Sequence, residues 1–194
     1  MLYPHLPAVG AHAAPELHWT PSENVSGRHG QAVHAIFNHR WDGGTFDGVV
    51  GWLRNPDSQA SAHVVYAGEV GPDAGKAAQL VKWAEKAWTE CHLNPLGISI
   101  ETADAVWLGH DPTGFARLAR MTALLLHLHQ LPARWVRGEA LLAGGRGHTR
   151  HADGGTLGCG HFSCPTTDLD LFRQFHERVV AEVRHGGFRK EWGH

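Results

Sequence analysis

Residues 147–165 read G-H-T-R-H-A-D-G-G-T-L-G-C-G-H-F-S-C-P, which places three histidines and two cysteines within 19 residues. Imidazole and thiolate are preferred ligands of Zn²⁺, and glycine supplies the turns that let a short loop deliver two of them. The spacing is not that of a zinc finger, because no pair of C-x₂-C or H-x₃-H elements is present. A catalytic zinc needs only three protein ligands and an open position, so one ligand from elsewhere completes a site. The competing reading of this composition is a flexible polar loop facing solvent. Two residues outside the loop can join the chemistry. His39 follows the apolar stretch 32–37, at a strand end where a side chain faces either a cleft or plain solvent. Glu101 closes G-I-S-I-E, where a carboxylate is either hydrogen-bonded structure or a general base.

The elements that must hold these groups read as alternating strands and helices. Stretches 32–37, 62–67 and 97–101 have the β-branched, apolar character of buried strands, the first stopping at Asn38-His39. Thr45 caps an expected helix over 46–53 that ends at Asn55-Pro56. Alanine and lysine content predicts a helix over 77–90, and the spacing of Phe115, Leu118, Thr122 and Leu125 predicts one over 113–131. A closing helix is expected over 168–184, and 143–164 reads as loop. The fold class is therefore α/β: a single domain with a central mixed β-sheet flanked by helices. Residues 1–27, rich in Pro, Ala and His, read as an N-terminal arm, and 28–194 as the domain itself.

Composition narrows the function. The 194 residues carry 17 Lys+Arg against 19 Asp+Glu, a net charge of −2, which argues against a nucleic-acid partner. Histidine, at 17, equals Lys and Arg together and points to metal ligation or proton transfer. Three cysteines are too few for a disulfide framework, so a compartment that keeps thiols reduced is expected. No apolar run approaches the ~18–20 residues of a membrane span, and the first residues lack the pattern of a secretory signal.

Read in order, six short stretches resemble the type-2 N-acetylmuramoyl-L-alanine amidases. They are A-I-F-N-H ending at His39, S-A-H-V-V over 61–65, Ala87-Trp88, N-P-L-G-I-S-I-E over 94–101, H-A-D over 151–153, and Cys164-Pro165. That family comprises zinc enzymes of phage endolysins, cell-wall recycling enzymes and peptidoglycan recognition proteins, and the resemblance spans roughly 28–185. It implies Zn²⁺ as cofactor, with His39, His151 and Cys164 as ligands. Glu101 falls on the acid that activates water, and His161 best fits the group that stabilises the oxyanion. Gly147-His148 also matches the family's G-H, so His148 is an alternative second ligand, while Asp153 completes the H-x-D that favours His151. Ala62 stands where some relatives have tyrosine, which makes His63 either a substrate-side group or a packed strand histidine. Trp41 and Trp88, with Trp52 and Trp107, are candidates for the floor of a glycan or peptide groove.

The activity implied is hydrolysis of the amide between N-acetylmuramic acid and L-alanine in peptidoglycan, as in the catalytic domain of a phage endolysin. Such a protein is made in the host cytoplasm and reaches the wall through a holin pore. It is expected to act as a monomer without membrane insertion, with any wall-binding domain lying outside this chain. Two readings compete: a non-catalytic peptidoglycan-binding module on the same fold, and a zinc peptidase acting on stem peptides.

Overall fold

A computed structural model describes residues 2–188. Its strands are β1 (His18–Trp19), β2 (Ser26–Gly27), β3 (Ala35–Arg40), β4 (Val64–Tyr66), β5 (Ala77–Gln79), β6 (Glu85–Lys86), β7 (Gly97–Thr102) and β8 (Gly147–Arg150). Its helices are α1 (Phe46–Arg54), α2 (Asp104–Trp107), α3 (Pro112–Leu128), α4 (Gly138–Leu142) and α5 (Leu169–His185). Tight 3₁₀ segments cover Pro56–Ser58, Cys91–Leu96 and His151–Gly158. Six strands form one sheet in the order β1-β5-β4-β7-β3-β8, parallel throughout except for the antiparallel pairing of β4 with β5. The expected mixed α/β architecture is the one observed.

Alternation divides each central strand between two faces. Ile36, Ile98, Ile100, Val64 and Tyr66 pack with α3 and α5 around Phe115, Leu118, Phe172 and Phe175. Phe37, Ser99, Val65 and Ala62 lie on the opposite face, toward α1 and the segment around Leu93. Trp107 belongs to the first layer. It is 1% exposed, with its ring 5.0 Å from Phe175 and 5.8 Å from Phe172, so it floors no groove. The N-terminal segment feeds the same layer: the Tyr3 hydroxyl donates to the Val106 carbonyl at 2.7 Å.

Thr45 caps α1 as expected, its hydroxyl accepting from Gly48 N–H, and Asp168 caps α5 through Asp170 and Leu171 N–H. Three expectations need correction. Residues 77–90 form no helix: 77–79 pair with both β4 and β1, and 85–86 pair with β2. Ala77, Ala78, Leu80 and Val81 are all buried, so pairing and burial on both sides of the segment override its helical composition. Residues 143–164 are not all loop, since β8 pairs in parallel with β3. The thiols are not all reduced either. Cys91 and Cys159 form a disulfide with Cα atoms 5.9 Å apart, leaving Cys164 free. Among the described residues no helix is long and apolar enough to cross a membrane.

The β3–β8 pairing depends on Gly147, whose φ is +152° and whose N–H donates to the His34 carbonyl at 2.9 Å. A Cβ there would lie 2.0 Å from the Arg134 carbonyl oxygen, a backbone atom that cannot swing away. Gly147→Ala should therefore destabilise the fold by about 3 kcal/mol. Thermal melting should show a fall of roughly 6–12 °C. Gly51→Ala, on an open face of α1, should instead gain about 0.5–1 kcal/mol. Equal melting temperatures for the two variants would remove Gly147 from this role.

Candidate metal centre

Register explains which side chains meet. β3 lies between β7 and β8, with His39 level with Glu101 and Phe37 level with Thr149. Continuing that register two residues beyond Thr149 brings His151 to the level and face of His39. Asp153 then fixes the turn: its carboxylate takes Arg150 Nη2 at 2.7 Å, Arg150 Nε at 3.2 Å and Trp135 Nε1 at 2.8 Å. Cys164 returns to the same place, its carbonyl accepting from Ala152 N–H at 2.8 Å. The site thus sits at the carboxyl ends of parallel strands, where α/β sheets commonly place ligands.

The donor atoms of His39, His151 and Cys164 lie within 4.8 Å of one another. Cys164 Sγ is 3.9 Å from His39 Nδ1, and Glu101 Oε1 is 3.8 Å from the same nitrogen. A tetrahedral Zn²⁺ with bonds of about 2.0–2.3 Å spaces nitrogen and sulfur ligands roughly 3.5 Å apart, so the trio matches that ion in ligand type and closes onto it by up to about 1 Å of side-chain movement. The electrostatics agree. Burial pushes His39 down to about 3 and His151 to about 2, which keeps both imidazoles neutral, the form that ligates. Burial, reinforced by Glu101, pushes the Cys164 thiol up to about 12. Burial, reinforced by Glu90 and Asp42, raises Glu101 to about 8. A bound cation would favour the thiolate and carboxylate that burial resists.

An open cavity of about 640 Å³ lies over this trio and is lined by Trp41, Trp52, Trp88, Glu101 and His161. His161 is exposed and stacks on His151, centroids 4.6 Å apart. Trp52 sits on α1 at 58% exposure, a free aromatic face at the rim.

Two sequence candidates fall elsewhere. His148 is level with Ile36, so the same alternation turns it to the α5 side. There its Nε2 lies 2.9 Å from His176 Nδ1, away from the donors of His39, His151 and Cys164. His63 lies in the sheet interior rather than on the cavity. Its Nδ1 is 3.1 Å from Ser99 Oγ and its Nε2 is 3.0 Å from Arg28 Nη2, the surroundings of a packed strand histidine.

The sequence also hid a participant. Glu90 is fully buried, with Oε1 3.4 Å from His39 Nε2. Burial pushes its carboxyl up to about 8, partly offset by the Ser99 hydroxyl and the Arg28 guanidinium. It ends the stretch read as a helix, where an acid looks like part of a solvated face. Glu90 stands two positions beyond the Ala87-Trp88 pair, and its local sequence carries no mark of a buried acid.

No protein-family model matches the chain, and no curated protein does. Solved structures do match. The Staphylococcus aureus hydrolase AmiA superposes with a TM-score of 0.69 at 13% identity, covering 89% of this chain and 85% of that one. The PlyG catalytic domain gives 0.62 at 15% identity, covering 87% and 95%. The N-acetylmuramoyl-L-alanine amidase LysC from Clostridium intestinale URNW gives 0.56 at 12% identity, covering 88% and 99%. The chain has the α/β fold of these hydrolase and amidase structures.

Proposed function

We propose that this protein is a zinc-dependent N-acetylmuramoyl-L-alanine amidase, hydrolysing the bond between the muramic lactyl group and L-alanine of the stem peptide. The observation that carries this reading is the meeting of His39, His151 and Cys164 donors within 4.8 Å beside Glu101. The fold shared with AmiA, PlyG and LysC supports it. When bound, Zn²⁺ supplies Lewis acidity that polarises a carbonyl and acidifies water.

The rest falls to the chain's own residues. Glu101, 14% exposed and facing the cavity, takes a proton from the attacking water and delivers it to the departing amine. The carbon–nitrogen bond breaks, leaving a carboxylic acid on the sugar side and a free amino terminus on alanine. His161 stands at the rim, where an N–H can reach the oxyanion. Trp41, Trp52 and Trp88 offer flat apolar faces to sugar and peptide along the cavity. Openness to solvent suits a polymeric substrate, which must cross the site rather than enter it.

We propose an endolysin-type enzyme that acts on the wall as a monomer, with any wall-binding domain lying outside this chain. The Cys91–Cys159 disulfide suits work in an oxidising space outside the cytoplasm. Purified peptidoglycan digested with and without a chelator tests the activity. New alanine amino termini should appear, fall at least ~10²-fold with chelator and return with added Zn²⁺. New reducing sugars, other amino termini or metal-independent cleavage would each overturn the reading, and binding without cleavage would favour a recognition module.

A further inference from the structure

The His39 ring has two nitrogens in different surroundings. Nδ1 faces Cys164 Sγ and Glu101, while Nε2 points away from the cavity. What it meets there is the carboxylate of Glu90, at 3.4 Å. Glu90 is 0% exposed and neither of its oxygens closes a well-formed hydrogen bond among the described residues. His39 Nε2 is left in the same condition. A buried carboxylate eased only by the Ser99 hydroxyl and the Arg28 charge is expensive, and so is a buried ring N–H. Each is the natural partner of the other.

The backbone holds Glu90 in place for this. Its N–H donates to Asn94 Oδ1 at 2.6 Å, and its carbonyl accepts from Leu93 N–H at 3.0 Å. The next residue, Cys91, is tied by the disulfide to Cys159 in the strand-to-ligand loop. Arg28, buried beneath the same segment, is anchored on the Pro95 and Gly97 carbonyls and supplies a compensating positive charge.

We infer that Glu90 is a positioning residue: its carboxylate accepts the Nε2–H of His39, fixes that tautomer, and so aims the Nδ1 lone pair at the metal. The metal half of this inference rests on the proposed zinc site; the tautomer half does not. Such outer partners typically contribute 10–100-fold in metal affinity, by orienting the ring and raising its basicity.

The test uses the full chain, with Zn²⁺ affinity measured by competition against a chromophoric chelator. Glu90→Gln keeps an acceptor of the same shape and drops the charge, and should weaken binding about 10-fold. Glu90→Ala removes the acceptor and should weaken it about 100-fold. Wild-type affinity in both variants would overturn the inference. Nitrogen-15 NMR of the metal-free proteins gives an independent reading: His39 should be held as the Nε2–H tautomer in the wild type and in Glu90→Gln. It should become a mixture in Glu90→Ala, and an unchanged tautomer there would count against Glu90. If the wild type binds no Zn²⁺ at all, the metal reading fails and the tautomer comparison still decides the role of Glu90. Should Glu90→Ala not fold, the Zn²⁺ affinity of the isosteric glutamine variant decides, and wild-type affinity there would overturn the inference.

Discussion

Glu101→Gln should lower turnover of peptidoglycan amide bonds by roughly 10²–10⁴-fold while the metal stays bound. The case is geometric. Glu101 is paired in register with His39 across adjacent parallel strands, so its distance from the ligand set is fixed by the sheet. Its Oε1 stands 3.8 Å from His39 Nδ1, close enough to reach water beside a shared ion yet outside the trio whose donors converge. Burial lifts its carboxyl to about 8, and a cation held by the trio would pull it back, a balance suited to accepting and returning a proton near neutrality. Glutamine preserves shape and removes the base. Zinc content and single-turnover cleavage, measured on one preparation, check the expectation. Near-wild-type turnover would take Glu101 out of the mechanism, and loss of zinc would make it a ligand instead.

The second large effect concerns the thiol. With Cys164→Ala the donor set falls to two imidazoles, and Zn²⁺ affinity should drop by roughly 10²–10⁴-fold, a share of the ~10–16 kcal/mol that a complete structural zinc site provides. Activity at limiting metal should fall with it. Cys164→Asp should recover most of the binding, because a carboxylate oxygen coordinates at about the distance of imidazole nitrogen. The argument rests on Sγ lying 3.9 Å from His39 Nδ1, with the Cys164 carbonyl held by Ala152 N–H. Equilibrium dialysis against Zn²⁺ measures it directly. An alanine variant that binds as tightly as the wild type would show that the ion is held elsewhere.

How much of this could be read beforehand depended on where the information lies along the chain. His39, His151, Cys164 and Glu101 stood out because each sits in a short stretch with its own character. Their convergence is a property of strand pairing, which local patterns do not encode. β8 was invisible as a strand because Gly147–Arg150 is a glycine, a histidine, a threonine and an arginine, without an apolar alternation. Once it is paired with β3, parity alone separates His151 from His148, a choice that composition left open. The segment 77–90 misled for the opposite reason: its residues favour helix locally, while the neighbouring strands β1 and β4 impose an extended form. The Cys91–Cys159 bond escaped because 68 positions separate its ends. Glu90 escaped because nothing nearby distinguishes a buried acid from a surface one.

The parallel pairing of β3 with β8 also sets when during synthesis the site can come into being. Asn38 reaches the Thr149 carbonyl across 111 positions, and Cys164 meets His39 across 125. Such contacts close loops of well over half the chain, so they form late and contribute to slow folding. A nascent chain carries His39 through most of its elongation with no companion ligand. The trio of His39, His151 and Cys164 therefore comes together only near the end of translation, when the last third of the sequence docks against the first. A chain cut short before that point would hold most of the sheet and none of the chemistry.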